Sequence, residues 1–179
     1  MFAGDQPVNV TATHLVYNRE TGRAEYTGEA QLWQGQTSIK ADAVTLDESS
    51  GNLTATGSVR SLMRVESTEA PDARARSTGT TPGAQGTAIA AAAPRQGTDT
   101  IATSGTLVYD DAERRATYTT SARMVGEHGD LRGNKIEVFF DQSGKGLERL
   151  EAYETVAFRS APRPDGSARW GYGARLTYF

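Results

Sequence analysis

The chain contains no cysteine. Disulfides, thiolate metal sites and cysteine nucleophiles are excluded, although the redox compartment stays open. Its two histidines, His14 and His128, are far apart, so neither a histidine metal set nor a histidine base is expected. No apolar run approaches the roughly 20 residues of a membrane helix. Neither charge dominates: 19 Lys and Arg stand against 22 Asp and Glu, a net −3. The charges are scattered without a basic stripe, which disfavours a nucleic-acid partner. Met1–Gln6 lacks the charged and apolar regions of a signal peptide, so any such peptide is expected to be missing from this sequence. The last residues, Arg175–Phe179, break off inside a strand-like pattern. The expectation is a domain over 5–179 truncated at its C-terminus. Apolar residues make up only 37%, so part of the chain is expected to stay unpacked.

What the chain does contain is a repeated phrase. Ala41-Asp42-Ala43-Val44-Thr45-Leu46-Asp47 alternates, turns at Glu48–Asn52 and alternates again from Leu53 to Val59. Period two marks a half-buried strand. The stretch from Val8 to Trp33 matches it at a fixed offset of 29: Ala12 meets Ala41, Leu15 meets Val44, Gly22 meets Gly51 and Gly28 meets Gly57. Matches held in one register define an internal repeat. Residues 100–127 and 129–161 repeat it again, with Ser104 at the place of Ala41 and Leu107 at that of Val44, and Trp170–Tyr178 opens a fifth copy. About nine strands in sequential hairpins, with almost no helix, are expected. Each hairpin is marginal alone, and stacked hairpins share one apolar face.

Residues 65–99 interrupt the repeat with Ala, Thr, Gly and Pro and almost no large apolar side chain. Such a segment cannot offset the entropy of ordering it. It reads as a disordered insertion, with a short helix around Ala88–Ala93 as the alternative, and it leaves strand order between 62 and 100 open.

The recurring Asp42, Asp47, Asp110 and Asn134 read as turn and strand-end residues rather than paired carboxylates. Asp141–Gly146 lacks the helix of a phosphate loop and the carboxylates of a calcium loop, so a β-turn is expected. Trp33 and Trp170 sit near strand ends, where capping of the core is the commoner role. No catalytic residue, metal or cofactor is expected.

Tyr17-Asn18-Arg19-Glu20-Thr21-Gly22-Arg23-Ala24, Tyr26-Thr27-Gly28-Glu29-Ala30, Ile39-Lys40-Ala41-Asp42, Leu131-Arg132-Gly133-Asn134-Lys135-Ile136 and Gly173–Tyr178 together resemble the LptA/OstA family of lipopolysaccharide-transport proteins. The resemblance covers residues 5–64 and 99–179; the insertion departs from it. It implies an all-β fold, an open antiparallel β-jellyroll of stacked hairpin repeats of 29 residues. It also implies a periplasmic, non-enzymatic module that carries lipid A acyl chains in an apolar trough and joins other jellyroll modules, or its own copies head to tail, strand against strand. The open edges expected are Val8–Tyr17 and Ala174–Phe179.

On that reading the trough wall is Leu15, Tyr17, Tyr26, Leu32, Val44, Leu46, Val59, Leu107, Tyr109, Tyr118, Met124, Ile136, Val138, Val156, Phe158 and Leu176. The small residues Gly28, Ala30, Ala55, Ala122 and Ala152 would leave room for a ligand. The alternative is a structural β-repeat scaffold or surface module whose core is closed by the same side chains.

Overall fold

The computed structural model describes residues 7–66, 97–127, 129–144, 146–162 and 166–179. His128, Lys145 and most of the insertion, 67–96, lie outside them. Ten strands follow in order: β1 (Asn9–Thr11), β2 (His14–Asn18), β3 (Arg23–Gln34), β4 (Thr37–Asp47), β5 (Leu53–Glu66), β6 (Gly97–Asp110), β7 (Arg115–Gly126), β8 (Gly129–Phe140), β9 (Leu147–Ser160) and β10 (Trp170–Tyr178). There is no helix among the described residues. All pairings are antiparallel, and β3 to β10 pair in chain order. The open strand order across the insertion is thereby settled. β5 pairs directly with β6 as far as Glu66 opposite Gly97, so strand reaches into both ends of the 65–99 segment.

The turns are made by the repeat-position side chains. Asn18 Oδ1 accepts the amides of Glu20 and Thr21 (2.9 and 3.1 Å). Asp47 Oδ1 accepts those of Ser49 and Ser50 (3.0 and 3.1 Å), and Asp110 Oδ1 that of Glu113 (3.1 Å). In the Asp141 turn the carboxylate accepts the Ser143 amide (2.9 Å). A short polar side chain that binds its own backbone ahead is what a tight reversal needs.

Midway along, every strand meets a corner. Pairs of consecutive residues take left-handed conformations: Gly28 and Glu29 in β3, Gly57 and Ser58 in β5, Thr120 and Ser121 in β7, Glu154 and Thr155 in β9. The register shifts at each of these places, as an extra residue bulges one strand against its neighbour. In β4, which lacks the extra residue, the inner face therefore steps by three, from Ile39 and Ala41 in one half of the sheet to Val44 in the other. The bulged strands themselves keep one parity through the corner, as Ala24, Ala30 and Leu32 do in β3. At the sheet edge the corner breaks the strand outright, which is why ten strands form where nine were expected. β1 pairs with one half of β3 and β2 with the other. Between them the Thr13 amide and hydroxyl both donate to the Gly28 carbonyl (3.1 and 3.0 Å).

Folding at the corner brings the two halves of the sheet face to face. Ser61, beyond the corner in β5, reaches Tyr118, before the corner in β7, although β5 and β7 are not neighbours in the sheet (Oγ to hydroxyl 2.9 Å). Gly57 is required at its corner: its φ is +76°, and a Cβ there would lie 2.2 Å from Asp42 Oδ2. Gly57→Ala should lower the unfolding free energy by about 1 kcal/mol or more, from left-handed strain and displacement of Asp42. Urea denaturation reads this directly, and an unchanged midpoint would show that the corner relaxes freely.

Candidate functional site

The inner face of the folded sheet is one apolar surface. Before the corner it carries Ala24 and Tyr26 (β3), Val44 and Leu46 (β4), Leu53 and Ala55 (β5), Leu107 and Tyr109 (β6), Ala116 and Tyr118 (β7), Ile136 and Val138 (β8) and Leu150 and Ala152 (β9). Beyond the corner it carries Ala30 and Leu32, Ile39 and Ala41, Val59 and Met63, Ala102, Ala122 and Met124, Leu131, and Val156 with Phe158. All sixteen residues expected in the wall lie on this face. Leu15 and Tyr17 reach it by pairing opposite Tyr26 and Ala24. Leu176 reaches it opposite Ala152. None of these residues is ionised at neutral pH, as an acyl-sized apolar surface requires.

The sequence reading missed Ile39, Ala41, Leu53, Met63, Ala102, Leu131, Phe140 and Leu150, all buried on the same face. The signal for several of them was a step of three in place of two: Ala41 to Val44, Ser104 to Leu107, Gly133 to Ile136. That step is the corner seen in one dimension. The expectation for the tryptophans is corrected. Trp33 and Trp170 alternate with inner residues and so face outward, Trp170 stacking under the Arg159 guanidinium (4.8 Å) rather than capping the core.

The face is covered at its centre and open at its ends. Leu32, Val44, Leu107, Tyr118 and Ile136 have no exposed surface, and neither do Ala55 and Ala152. Leu15 is 58% exposed and Tyr17 49% at one end of the sheet, and Tyr178 is 45% exposed at the other. The middle is covered because each half of the sheet faces the other, and the edge strands extend past that cover.

The hydroxyls of Ser61, Ser104, Tyr109 and Tyr118 interrupt the apolar centre. Tyr118 shares a hydrogen bond with Ser61 and also donates to Met63 Sδ (3.4 Å). Burial pushes its phenol well above the usual tyrosine range. Tyr109 is raised as well, by burial first and then by the Asp111 carboxylate, and its ring meets Phe140 edge-on at 6.3 Å. At the open end Tyr17 donates to Glu48 (2.9 Å), which raises it too. These tyrosines stay neutral donors at any physiological pH.

Outside, a cluster of charge lies across β7–β10. Glu137 and Glu151 face each other directly on β8 and β9. Arg115 and Lys135 pair with the first, and Arg149 and Arg175 with the second (3.0 and 2.6 Å). Tyr153 also donates to Glu151, and its hydroxyl is pushed up to about 12. This cluster holds the edge strand β10 to its neighbour. His14 is exposed on β2. No group of three or more His, Asp or Glu able to hold a metal occurs among the described residues.

The chain matches the family described as LptA/(LptD N-terminal domain) LPS transport protein over residues 9–136 and 101–179. Among solved structures it resembles LptH of Pseudomonas aeruginosa, described as the LptA-homologous periplasmic component of the lipopolysaccharide transport device. The TM-score is 0.57 at 20% identity, covering 93% of this chain and 94% of that one. No curated protein matches it.

Proposed function

Because this chain belongs to the LptA/LptD N-terminal-domain family of lipopolysaccharide-transport proteins, we propose that it is a periplasmic bridge module. It holds the acyl chains of lipopolysaccharide against the inner face of its sheet, and it joins other jellyroll modules, or copies of itself, through its two edges. The family is one of transport proteins, not of enzymes. The observation that carries the reading is the inner face itself: apolar from β2 to β10, free of ionised groups, and exposed at both ends of the sheet. Each methylene taken from water against such a surface contributes about 0.8 kcal/mol. The halves of the sheet part to admit a chain, because the central residues are covered. The edges at β1–β2 and β10 supply unpaired backbone for strand addition.

A second reading, a structural repeat scaffold with a closed core, is favoured by one observation, the complete burial of Tyr118 and its neighbours. Photocrosslinking separates the two. Benzoylphenylalanine at Tyr17, Leu46 or Phe158 on the inner face should capture lipopolysaccharide, and at Thr54 on the outer face it should not. Capture at Thr54 alone, or at none of the four, would leave the scaffold reading standing.

A further inference from the structure

The strand register aligns side chains on the outer face that are far apart in the chain. Beyond the corner, Lys40 on β4 stands opposite Arg60 on β5. Arg60 stands opposite Thr103 on β6 and Thr103 opposite Arg123 on β7. Arg132 on β8 continues the row opposite Arg123. The next row toward the strand ends is apolar on β5–β7, Leu62 opposite Ile101 and Ile101 opposite Val125, and is flanked by Ser38 on β4 and Asp130 on β8. Leu62 and Ile101 are half-buried and Val125 is exposed.

Like charges directly opposite one another in a sheet are destabilising, yet Lys40 and Arg60 occupy such a pair. Among the described residues neither has an ion-pair partner, whereas Arg123 and Arg132 share Asp130. Before the corner the outer face of the same strands presents Thr54, Thr56, Thr106, Thr117 and Thr119 around the exposed Val108, and its cations Arg115 and Lys135 are paired with Glu137. The whole chain carries a net −3, so the cationic row runs against the balance of the molecule.

We propose that this outer face, across β4–β7 beyond the corner, docks on an anionic lipid bilayer. Lys40 and Arg60 meet the headgroups while Leu62, Ile101 and Val125 enter the boundary beneath them. A cationic row beside an apolar one is the chemistry of an interfacial surface. A nucleic acid would use the cations and leave the apolar row in water. Sheet twist of roughly 20–25° per strand confines a planar contact to about four neighbouring strands, which is the width of this patch.

The test uses the full chain and vesicles free of lipopolysaccharide, so its outcome is independent of inner-face capture. Sedimentation should show binding to phosphatidylglycerol/phosphatidylcholine vesicles, weakening with salt, and none to phosphatidylcholine alone. Lys40→Gln with Arg60→Gln should weaken binding about 25-fold, near fivefold per cation. Leu62→Ser with Val125→Ser should also weaken binding but leave its salt dependence intact. Thr56→Glu, before the corner, should change nothing. Circular dichroism checks that each variant is folded. Equal binding to neutral vesicles, no binding to anionic ones, wild-type binding by folded Lys40→Gln/Arg60→Gln, or binding of single-stranded RNA in place of vesicles would each overturn the proposal.

Discussion

Tyr118→Ala should remove about 3–5 kcal/mol from the unfolding free energy, the cost of deleting a buried aromatic ring whose site cannot fully collapse. That is a large share of the 5–15 kcal/mol of an ordinary domain. The site cannot collapse because Tyr118 has no exposed surface and lies between the two halves of the sheet, each held by its own strand ladder. Tyr118→Phe isolates the hydroxyl. The ring stays, Ser61 loses its partner in a buried setting, and about 1–2 kcal/mol should go. Urea unfolding of the two variants beside wild type gives the ordering. A neutral Tyr118→Phe would mean that Ser61 finds another partner and that the bond between the halves contributes nothing. If acyl chains lie between the halves, this bond must break to admit them, so Tyr118→Phe should raise lipopolysaccharide capture at Leu46 while lowering stability. A fall in both would count against entry between the halves.

Acid should weaken the fold through Asp130. The Arg123 guanidinium, donating from Nε and Nη2 (2.9 and 2.7 Å), holds its carboxyl near 2 against the ordinary 3.8; burial opposes this and Arg132 assists. A depressed folded-state value means that the unfolded chain binds the proton more readily, so stability rises with pH across that window. The contribution is fully present above about pH 4 and is lost as pH falls through about 2. Because the arginine side chains are about half exposed, screening reduces it to about 1–2 kcal/mol. Glu151 is lowered in the same direction, first by the Tyr153 hydroxyl and then by Arg175, and adds to the loss on the acid side. Urea unfolding at pH 7, 4 and 2.5 should show the decline for wild type and a shallower one for Asp130→Asn. Parallel curves for the two proteins would remove Asp130 as the cause.

The turns were readable because their chemistry is local. Asn18, Asp47 and Asp110 close reversals with amides two or three residues ahead, and a position that recurs in every repeat exposes that role. The sixteen wall residues were readable for a related reason: alternation places every second side chain on one face whatever the sheet later does. Ile39, Ala102 and Leu131 were not, because the bulge in the neighbouring strand moves the inner face of β4, β6 and β8 by one residue. A parity carried straight through from Val44 points to Asp42, which is exposed. The broken alternation of β4, β6 and β8 is all that shows in sequence, and its meaning depends on the extra residue in the partner strands β3, β5, β7 and β9, whose own alternation is unbroken.

By itself, then, the sequence determined the hairpin repeat, the turn residues, the all-β class and the membership of the apolar face, since each depends on spacing within some 30 residues. The tertiary structure alone decided three things: that the face folds back on itself, that its centre is covered while Leu15 and Tyr178 are not, and that scattered cations become a row. Each depends on which strand lies beside or across from which. Lys40 and Arg123 are 83 residues apart in the chain, and only the antiparallel register with its corner brings them into one line.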